Sequence, residues 1–359
     1  MPTIRAAVCH AHAEPLLVEE VQLAPPGPGE VRVRMEAVAI CASDISYADG
    51  GWGGTLPAVF GHEGVGRVVE AGDGVRGFAP GARVLVTLIR SCHACPSCAA
   101  GRPAYCEEGL HRDGPLSTLQ GTPIVQAMQC GAFAEEVVVD TSQLVEIPEE
   151  MPAASACLLS CGVITGVGAA VNAAALRPGQ TAVIVGAGGV GLNAIQGARL
   201  AGCARVVAMD VSEEKLADAR AFGATDTILA TEDKPWRRLA EIAPRMADAV
   251  LVCTGALPAF RTAPRLLGRG GRVVMVGMPH SGQTVDYEPV ILAALGQGVT
   301  GSKMGDTVLA RDIPWLVDLY AQGRLELDAL VSRRWALDEI NDAIADTKAG
   351  RARRNVLVF

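Results

Sequence analysis

Four cysteines stand close together, Cys92, Cys95, Cys98 and Cys106, in the pattern C-x2-C-x2-C-x7-C. Thiolates at these spacings can close a tetrahedron on one zinc ion, and a shell filled by four cysteines is structural because it leaves no position for a substrate. The segment Ser91–Arg102 is made of small and polar residues, so a metal would staple a loop with little apolar surface to bury. An iron–sulfur cluster is a rival. Its bacterial signature opens in the same way but takes the fourth cysteine after three residues, followed by proline. Here the gap is seven and Glu107 follows. Free thiols are the third reading, and His93, inside the loop, reads as solvent-facing.

A second pattern is Gly186-Ala187-Gly188-Gly189-Val190-Gly191, which fits G-x-G-x-x-G. With 41 glycines in the chain the match alone is weak. Its setting strengthens it: an apolar run, Thr181–Val185, precedes it, a helical stretch from Val190 follows, and Asp210 stands 19 residues past Gly191. Gly186 allows a tight turn, Gly188 lets a pyrophosphate approach the backbone, and Gly191 lets helix and sheet pack closely. The helix N-terminus, at Gly189 and Val190, offers free N–H groups to phosphate. Asp210 would accept from ribose hydroxyls. Val211 follows it instead of an arginine, which favours NAD over NADP. The bland alternative is a glycine turn that packs a helix, and a surface aspartate.

Three more residues invite metal chemistry: Cys41 in Cys41-Ala42-Ser43-Asp44, His62 in Gly61-His62-Glu63, and Cys161 in Ser160-Cys161-Gly162. Each has an ordinary explanation. A cysteine after an apolar strand is usually filler, and a lone histidine near glycine is usually a loop residue. Spacing does not join them. Cys9, Cys130, Cys157, Cys203 and Cys253 keep apolar or small company and read as core or incidental.

The elements that must carry these residues fall into two groups. Glu30–Ile40, Gly64–Ala71, Ala82–Leu88 and Glu135–Val139 are short and valine-rich, with glycine and proline between them. They predict an irregular antiparallel barrel. From residue 178 the pattern alternates: strands at Thr181–Val185, Arg205–Met209, Asp248–Cys253 and Gly271–Val276, helices at Val190–Leu200, Glu213–Phe222 and Pro258–Leu267. That alternation predicts a doubly wound parallel sheet, so the fold class is α/β. The tail predicts helices at Ile313–Gln322 and Leu337–Lys348 and a strand at Asn355–Phe359.

A chain of 359 residues suits two domains. Hydrophobic residues are 50% and charged ones 19%, which describes a globular protein. A net charge of −8 gives no broad footprint for nucleic acid or an acidic membrane, and the cluster Arg351, Arg353 and Arg354 is too small to change that. Two uncharged stretches, Met151–Leu176 and Pro178–Ala198, are long enough to span a bilayer. Polar residues, prolines and glycines interrupt both, so no membrane span is expected. Eleven cysteines, an odd number, with no basic-then-apolar segment in Met1–His12, point to metal binding before disulfides. The cytoplasm is the expected compartment.

Taken in order along the chain, these features resemble the zinc-dependent medium-chain alcohol dehydrogenases, in the bacterial branch of class III-like and aryl-alcohol enzymes. The likeness rests on Cys41 with Ser43 and Asp44, Gly61-His62-Glu63, the four-cysteine lobe, Cys161-Gly162 with Thr165-Gly166, the glycine fingerprint with Asp210, and Val276-Gly277-Met278-Pro279. It covers nearly the whole chain. It implies a GroES-like barrel as catalytic domain, residues 1–163 and 304–359 with the zinc lobe at 91–106, and a Rossmann domain, residues 164–303, that binds NAD. It also implies two zinc ions per chain, the catalytic one on Cys41, His62 and Cys161. Two cysteines and a histidine are the set that alcohol dehydrogenases themselves exemplify, so the ligand set comes with the family.

The resemblance further implies that Glu63 lies behind the metal and can swap in as a ligand, that Asp44 fixes the tautomer of His62, and that Ser43 takes the alcohol proton. Thr165, Lys215 and Arg354 would touch the cofactor. Two departures weaken parts of this pattern. Ser46 stands where many relatives have a relay histidine, and Ala42 where they have a phosphate-binding base. Met304 and the Trp52 loop would line the substrate pocket. The expected reaction is reversible hydride transfer between a primary alcohol, aromatic or allylic, and NAD, giving the aldehyde. An S-(hydroxymethyl)-thiol adduct of formaldehyde is the alternative substrate, with Arg112 and Lys303 as its cationic contacts. A protein with only structural zinc is the non-enzyme reading. Relatives pair two subunits edge to edge at the strand near Gly271–Met278, which implies an uncovered sheet edge there and a homodimer or homotetramer.

Overall fold

The computed structural model describes residues 1–108 and 114–359. Two compact units emerge, one from Met1–Cys161 with Val308–Phe359, the other from Gly162–Thr307.

The first unit holds a small closed barrel, built from Thr3–Cys9, Leu17–Leu23, Leu116–Ser117, Pro123–Gln126 and Ala58–Val59 in that order around the wall. Beside it lies a seven-stranded sheet in the order Leu144–Glu146, Arg83–Val86, Glu63–Ala71, Glu30–Ala39, Arg354–Val358, Val331–Trp335, with Glu136–Asp140 also paired to Glu30–Ala39. Along Glu30–Ala39 the alternation works as in any half-buried strand: Val31, Val33 and Met35 enter the core, while Arg32 and Arg34 turn outward. Both arginines meet Glu136 on the neighbouring strand, at 3.1 Å and 3.0 Å.

The register of this sheet decides the site. Glu30–Ala39 runs antiparallel to Glu63–Ala71 with Ala39 opposite Glu63 and Val38 opposite Gly64. The residues just beyond these paired ends are Ile40 and Cys41 on one strand and His62 on the other. Glu63–Ala71 also pairs with Arg83–Val86, Gly64 opposite Val86. On the other side, Arg354–Val358 lies against Glu30–Ala39 with Val356 opposite Ala39, which carries Arg354 toward Cys41.

The second unit is a six-stranded parallel sheet in the order Asp226–Leu229, Arg205–Asp210, Thr181–Val185, Ala247–Val252, Leu267–Met275, Gly298–Gly301. Numbered along the chain this is 3-2-1-4-5-6, the doubly wound order with its switch point between the first and fourth strands. Val183, Val207, Val250 and Val273 are wholly buried, as parallel strands covered on both faces require.

Two expectations need correction. The stretch Pro258–Leu267 is not one helix: a short helix, Leu257–Thr262, passes into a 3₁₀ turn, Ala263–Leu266, and Leu267 already begins the next strand. The strand after it is not an edge. Gly298–Gly301 pairs with it from the outer side, so the free edge belongs to that short strand. Its composition, Gly-Val-Thr-Gly, carries no alternation long enough to announce a strand. Among the described residues no single helix is long and apolar enough to cross a membrane. Residues 151–176 break into short helical pieces, and residues 178–198 are a strand, a glycine turn and part of a helix.

Candidate metal centre

Cys41 caps the helix Ala42–Ala48, whose third residue, Asp44, turns back on it. Asp44 Oδ2 accepts the Cys41 N–H at 3.1 Å, and Oδ1 accepts the Gly61 N–H at 2.9 Å and faces His62 Nδ1 at 3.0 Å. One carboxylate, 1% exposed, therefore ties the first cysteine to the histidine and aims the imidazole so that Nε2 points away from it.

That Nε2 is buried without a hydrogen-bond partner. The side chains of Cys41, His62, Glu63 and Cys161 are all buried, and one donor atom from each lies within 4.8 Å of the others. A bare imidazole nitrogen facing two sulfurs is costly unless something satisfies it. Two thiolates and one imidazole form a donor set for zinc, with a fourth position that Glu63 or another oxygen can take, so the residues fit the metal. The groups of the cluster also shift one another's protonation. The Cys161 thiol beside it holds Cys41 well below the usual thiol range, and the same contact together with burial pushes Cys161 up. Burial opposes charge on His62, but Asp44 outweighs it and holds the imidazole well above its ordinary value. Burial pushes the Glu63 carboxyl up to about 8, against the pull of Arg354.

Arg354 occupies a place the sequence did not suggest. It is 7% exposed, with Nη1 3.3 Å from Glu63 Oε1 and 3.5 Å from the Ile40 carbonyl. Its guanidinium is directed at Glu63. Ser43 Oγ stands 3.6 Å from Cys41 Sγ, at the edge of the donor set.

The other four cysteines also come together, with sulfurs within 4.8 Å of one another. Backbone N–H groups point at them: Cys95 N to Cys92 Sγ at 3.2 Å, Cys98 N to Cys95 Sγ at 3.5 Å, Cys92 N to Cys106 Sγ at 3.3 Å. Such donors favour thiolate. The N–H groups of Glu107 and Cys98 bring Cys95 down to about 6, whereas burial and the neighbouring Cys95 thiol push Cys98 up to about 12. His93 is exposed, as expected.

In the second unit the glycine turn has the geometry for a phosphate. Gly186 takes φ +94°, where only glycine is unstrained. A Cβ on Gly191 would fall 1.8 Å from the Gly186 carbonyl oxygen, whereas one on Gly188 would meet nothing within 4 Å. Gly188 thus leaves open space at the start of the helix Gly189–Leu200, whose first residues include Gly189 and Val190. Asp210 Oδ2 accepts the Ala187 N–H at 2.7 Å and Oδ1 accepts the Ser212 N–H at 3.0 Å, so the carboxylate is held against the turn. Lys215 is half-buried on the first turn of Glu213–Ala221. Thr165 is buried, its hydroxyl 3.7 Å from Met304 Sδ. Lys303 is exposed, and Arg112 lies outside the described residues. Asp210→Gly is expected to raise the ratio of NADP to NAD activity by about tenfold, equivalent to ~1.4 kcal/mol, read as kcat/KM with each dinucleotide. An unaltered protein that prefers NADP would contradict the role given to Asp210.

Two family models match the chain: the alcohol dehydrogenase GroES-like domain over residues 27–149 and the zinc-binding dehydrogenase over residues 189–322. Over 99% of both chains it is 35% identical to an S-(hydroxymethyl)glutathione dehydrogenase of Escherichia coli. Benzyl alcohol dehydrogenase of Acinetobacter calcoaceticus superposes with a TM-score of 0.94 at 29% identity, covering 100% of both chains. A zinc-binding dehydrogenase of Sinorhizobium meliloti bound to NADP gives 0.85 at 30%, again over 100% of both. The chain belongs to the zinc-dependent medium-chain alcohol dehydrogenases. It is an oxidoreductase of a zinc-binding family that works with a nicotinamide dinucleotide.

Proposed function

We propose that the protein oxidises a primary alcohol, benzylic or allylic, to the aldehyde with NAD, reversibly, at Cys41, His62 and Cys161. One observation carries this reading: two sulfurs and an unpartnered imidazole nitrogen, from distant parts of the chain, converge with Glu63 in a buried cluster. Zinc held there supplies a Lewis acid for the alcohol oxygen, and NAD supplies the hydride acceptor.

The protein's own groups do the rest. Asp44 keeps the His62 Nδ1 proton in place, so that Nε2 faces the metal position. Ser43 relays the hydroxyl proton of the alcohol, accepting it on Oγ while passing its own toward the nicotinamide ribose and from there to solvent. Ser46, one helical turn on, offers a second hydroxyl where relatives often have a histidine. Arg354 restrains Glu63, and this accounts for its position better than a contact with cofactor phosphate. The opening at Gly188 admits the pyrophosphate, with Asp210 and Lys215 on the ribose side and Thr165 also toward the cofactor. The four-cysteine lobe holds a second, structural zinc. We assign chemistry to the domain of residues 1–163 and 304–359 and the nucleotide to residues 164–303.

Benzylic substrates are favoured by the likeness to benzyl alcohol dehydrogenase, and Trp52, expected to line the substrate pocket, belongs to an aromatic group. Tyr47, on the helix that Cys41 caps, meets Trp52 edge-on at 5.0 Å and stacks on Phe60 at 6.3 Å. The second reading, an S-(hydroxymethyl)-thiol adduct, draws on the Escherichia coli relative. Its carboxylates would need cations, of which Lys303 is one candidate. A panel of benzylic, allylic and short alcohols and the glutathione–formaldehyde adduct, followed by NADH absorbance, decides between them. Benzylic or allylic alcohols are expected to exceed the adduct in kcat/KM by about tenfold or more, ~1.4 kcal/mol. The reverse order would favour the adduct.

The edge strand Gly298–Gly301, with Val299 exposed, supports a homodimer or homotetramer, since an uncovered edge is a template for pairing. The reading places the enzyme in the cytoplasm, acting on a small molecule without nucleic-acid or membrane partners.

A further inference from the structure

We propose that the hydroxyls of Thr87 and Ser160 clamp Cys161 in its metal-binding position, as positioning residues outside the ligand set. This rests on the reading that Cys41, His62 and Cys161 hold the catalytic zinc. Thr87 Oγ1 donates to the Ser160 carbonyl at 2.7 Å, and Ser160 Oγ donates to the Gly64 carbonyl at 2.9 Å. Both side chains are buried, at 1% and 0% exposure. The Ser160 carbonyl belongs to the peptide plane that leads into Cys161, so the first bond fixes the plane from which the cysteine hangs.

Cys161 needs such a constraint. It leaves the path of the 3₁₀ turn Cys157–Ser160, with φ −149° and ψ −67°. A helix therefore does not set the direction of its side chain, and the flanking contacts must. The anchors are well placed for this. Gly64 lies two residues past His62 and pairs with Val38 on the strand leading to Cys41 and with Val86, the residue before Thr87. The peptide oxygen of Thr87 is itself held by Gln143 Nε2 at 2.9 Å. The clamp thus refers the third sulfur to the same strand pair that registers the other two ligands. Contacts that orient ligands without touching the metal commonly change its affinity by about 10–100-fold when lost.

The test measures zinc per chain and the rate at which each zinc passes to a chelator such as dipicolinate. Wild type and Cys161→Ser first identify the catalytic ion by difference. Thr87→Val is then expected to release that ion about tenfold faster, with the lobe zinc retained and with Thr87→Ser restoring the wild-type rate. A merely structural hydroxyl would lower the unfolding temperature without moving the release rate. If Thr87→Val releases the ion at the wild-type rate, or Thr87→Ser does not rescue it, the clamp is overturned while the metal assignment stands. If wild type and Cys161→Ser hold equal zinc, the metal assignment itself fails, and the clamp with it. Should Thr87→Val not fold, Ser160→Ala, which removes the donor to Gly64, carries the same expectation and the same refutation.

Discussion

Replacing Cys161 with serine is expected to reduce kcat by roughly a thousandfold or more, the scale of several kcal/mol of charge stabilisation. The folded state and NAD binding should persist. Cys161 is 5% exposed and supplies one of two sulfurs in the buried donor set. A serine hydroxyl fits the space but is a poor zinc ligand beside a thiolate, so the metal loses a third of its protein shell. The backbone at this point is held by Thr87 and Ser160, whose hydrogen bonds the substitution leaves alone. The nucleotide turn sits in the other compact unit. Steady-state rates with benzyl alcohol, circular dichroism and an NADH titration would measure the three quantities separately. Normal turnover in this variant would remove Cys161 from the metal site.

Cys98→Ser should act on stability. Between Cys92 and Cys106 only Cys95 and Ala104 are buried, so the lobe has almost no apolar core. The structural metal would then contribute most of what holds it together. Losing one of four thiolates is expected to lower the unfolding temperature by about 5–10 °C, taking ~2–3 kcal/mol spread over a unit of this size. Zinc analysis should fall from two ions per chain, one for each cysteine-containing cluster, to one. An unchanged unfolding temperature with both ions retained would show that the lobe does not depend on metal. Iron instead of zinc would revive the cluster reading.

The nucleotide-binding half was legible because its strands are buried on both faces. Thr181–Val185 had to be an unbroken apolar run, and a glycine turn had to follow it where a side chain would strike the Gly186 carbonyl. The barrel was legible only in outline. Strands of two residues, such as Ala58–Val59 and Leu116–Ser117, are too short to show a period. The edge strand Gly298–Gly301 was missed for the same reason.

The metal site could not be derived from spacing. Cys41 and His62 become neighbours through the pairing of Ala39 with Glu63, and no local pattern announces a register. Cys161 arrives from a separate helical segment, tied in by Ser160 to the Gly64 carbonyl. Family likeness grouped these residues, and the strand register supplies the physical reason. Arg354 shows the opposite case. In sequence it belongs to a small basic cluster and, by family likeness, would touch the cofactor, yet its strand turns it inward against Glu63. Only the pairing of Arg354–Val358 with Glu30–Ala39 reveals that.

The most direct test is a crystal grown with zinc and NADH, with anomalous diffraction recorded on both sides of the zinc absorption edge. Two zinc peaks per chain are expected, one in the lobe and one bonded to Cys41 Sγ, His62 Nε2 and Cys161 Sγ at about 2.0–2.3 Å. A single peak, confined to the lobe, with those three side chains directed to separate places, would contradict the account even if the nucleotide were bound as expected.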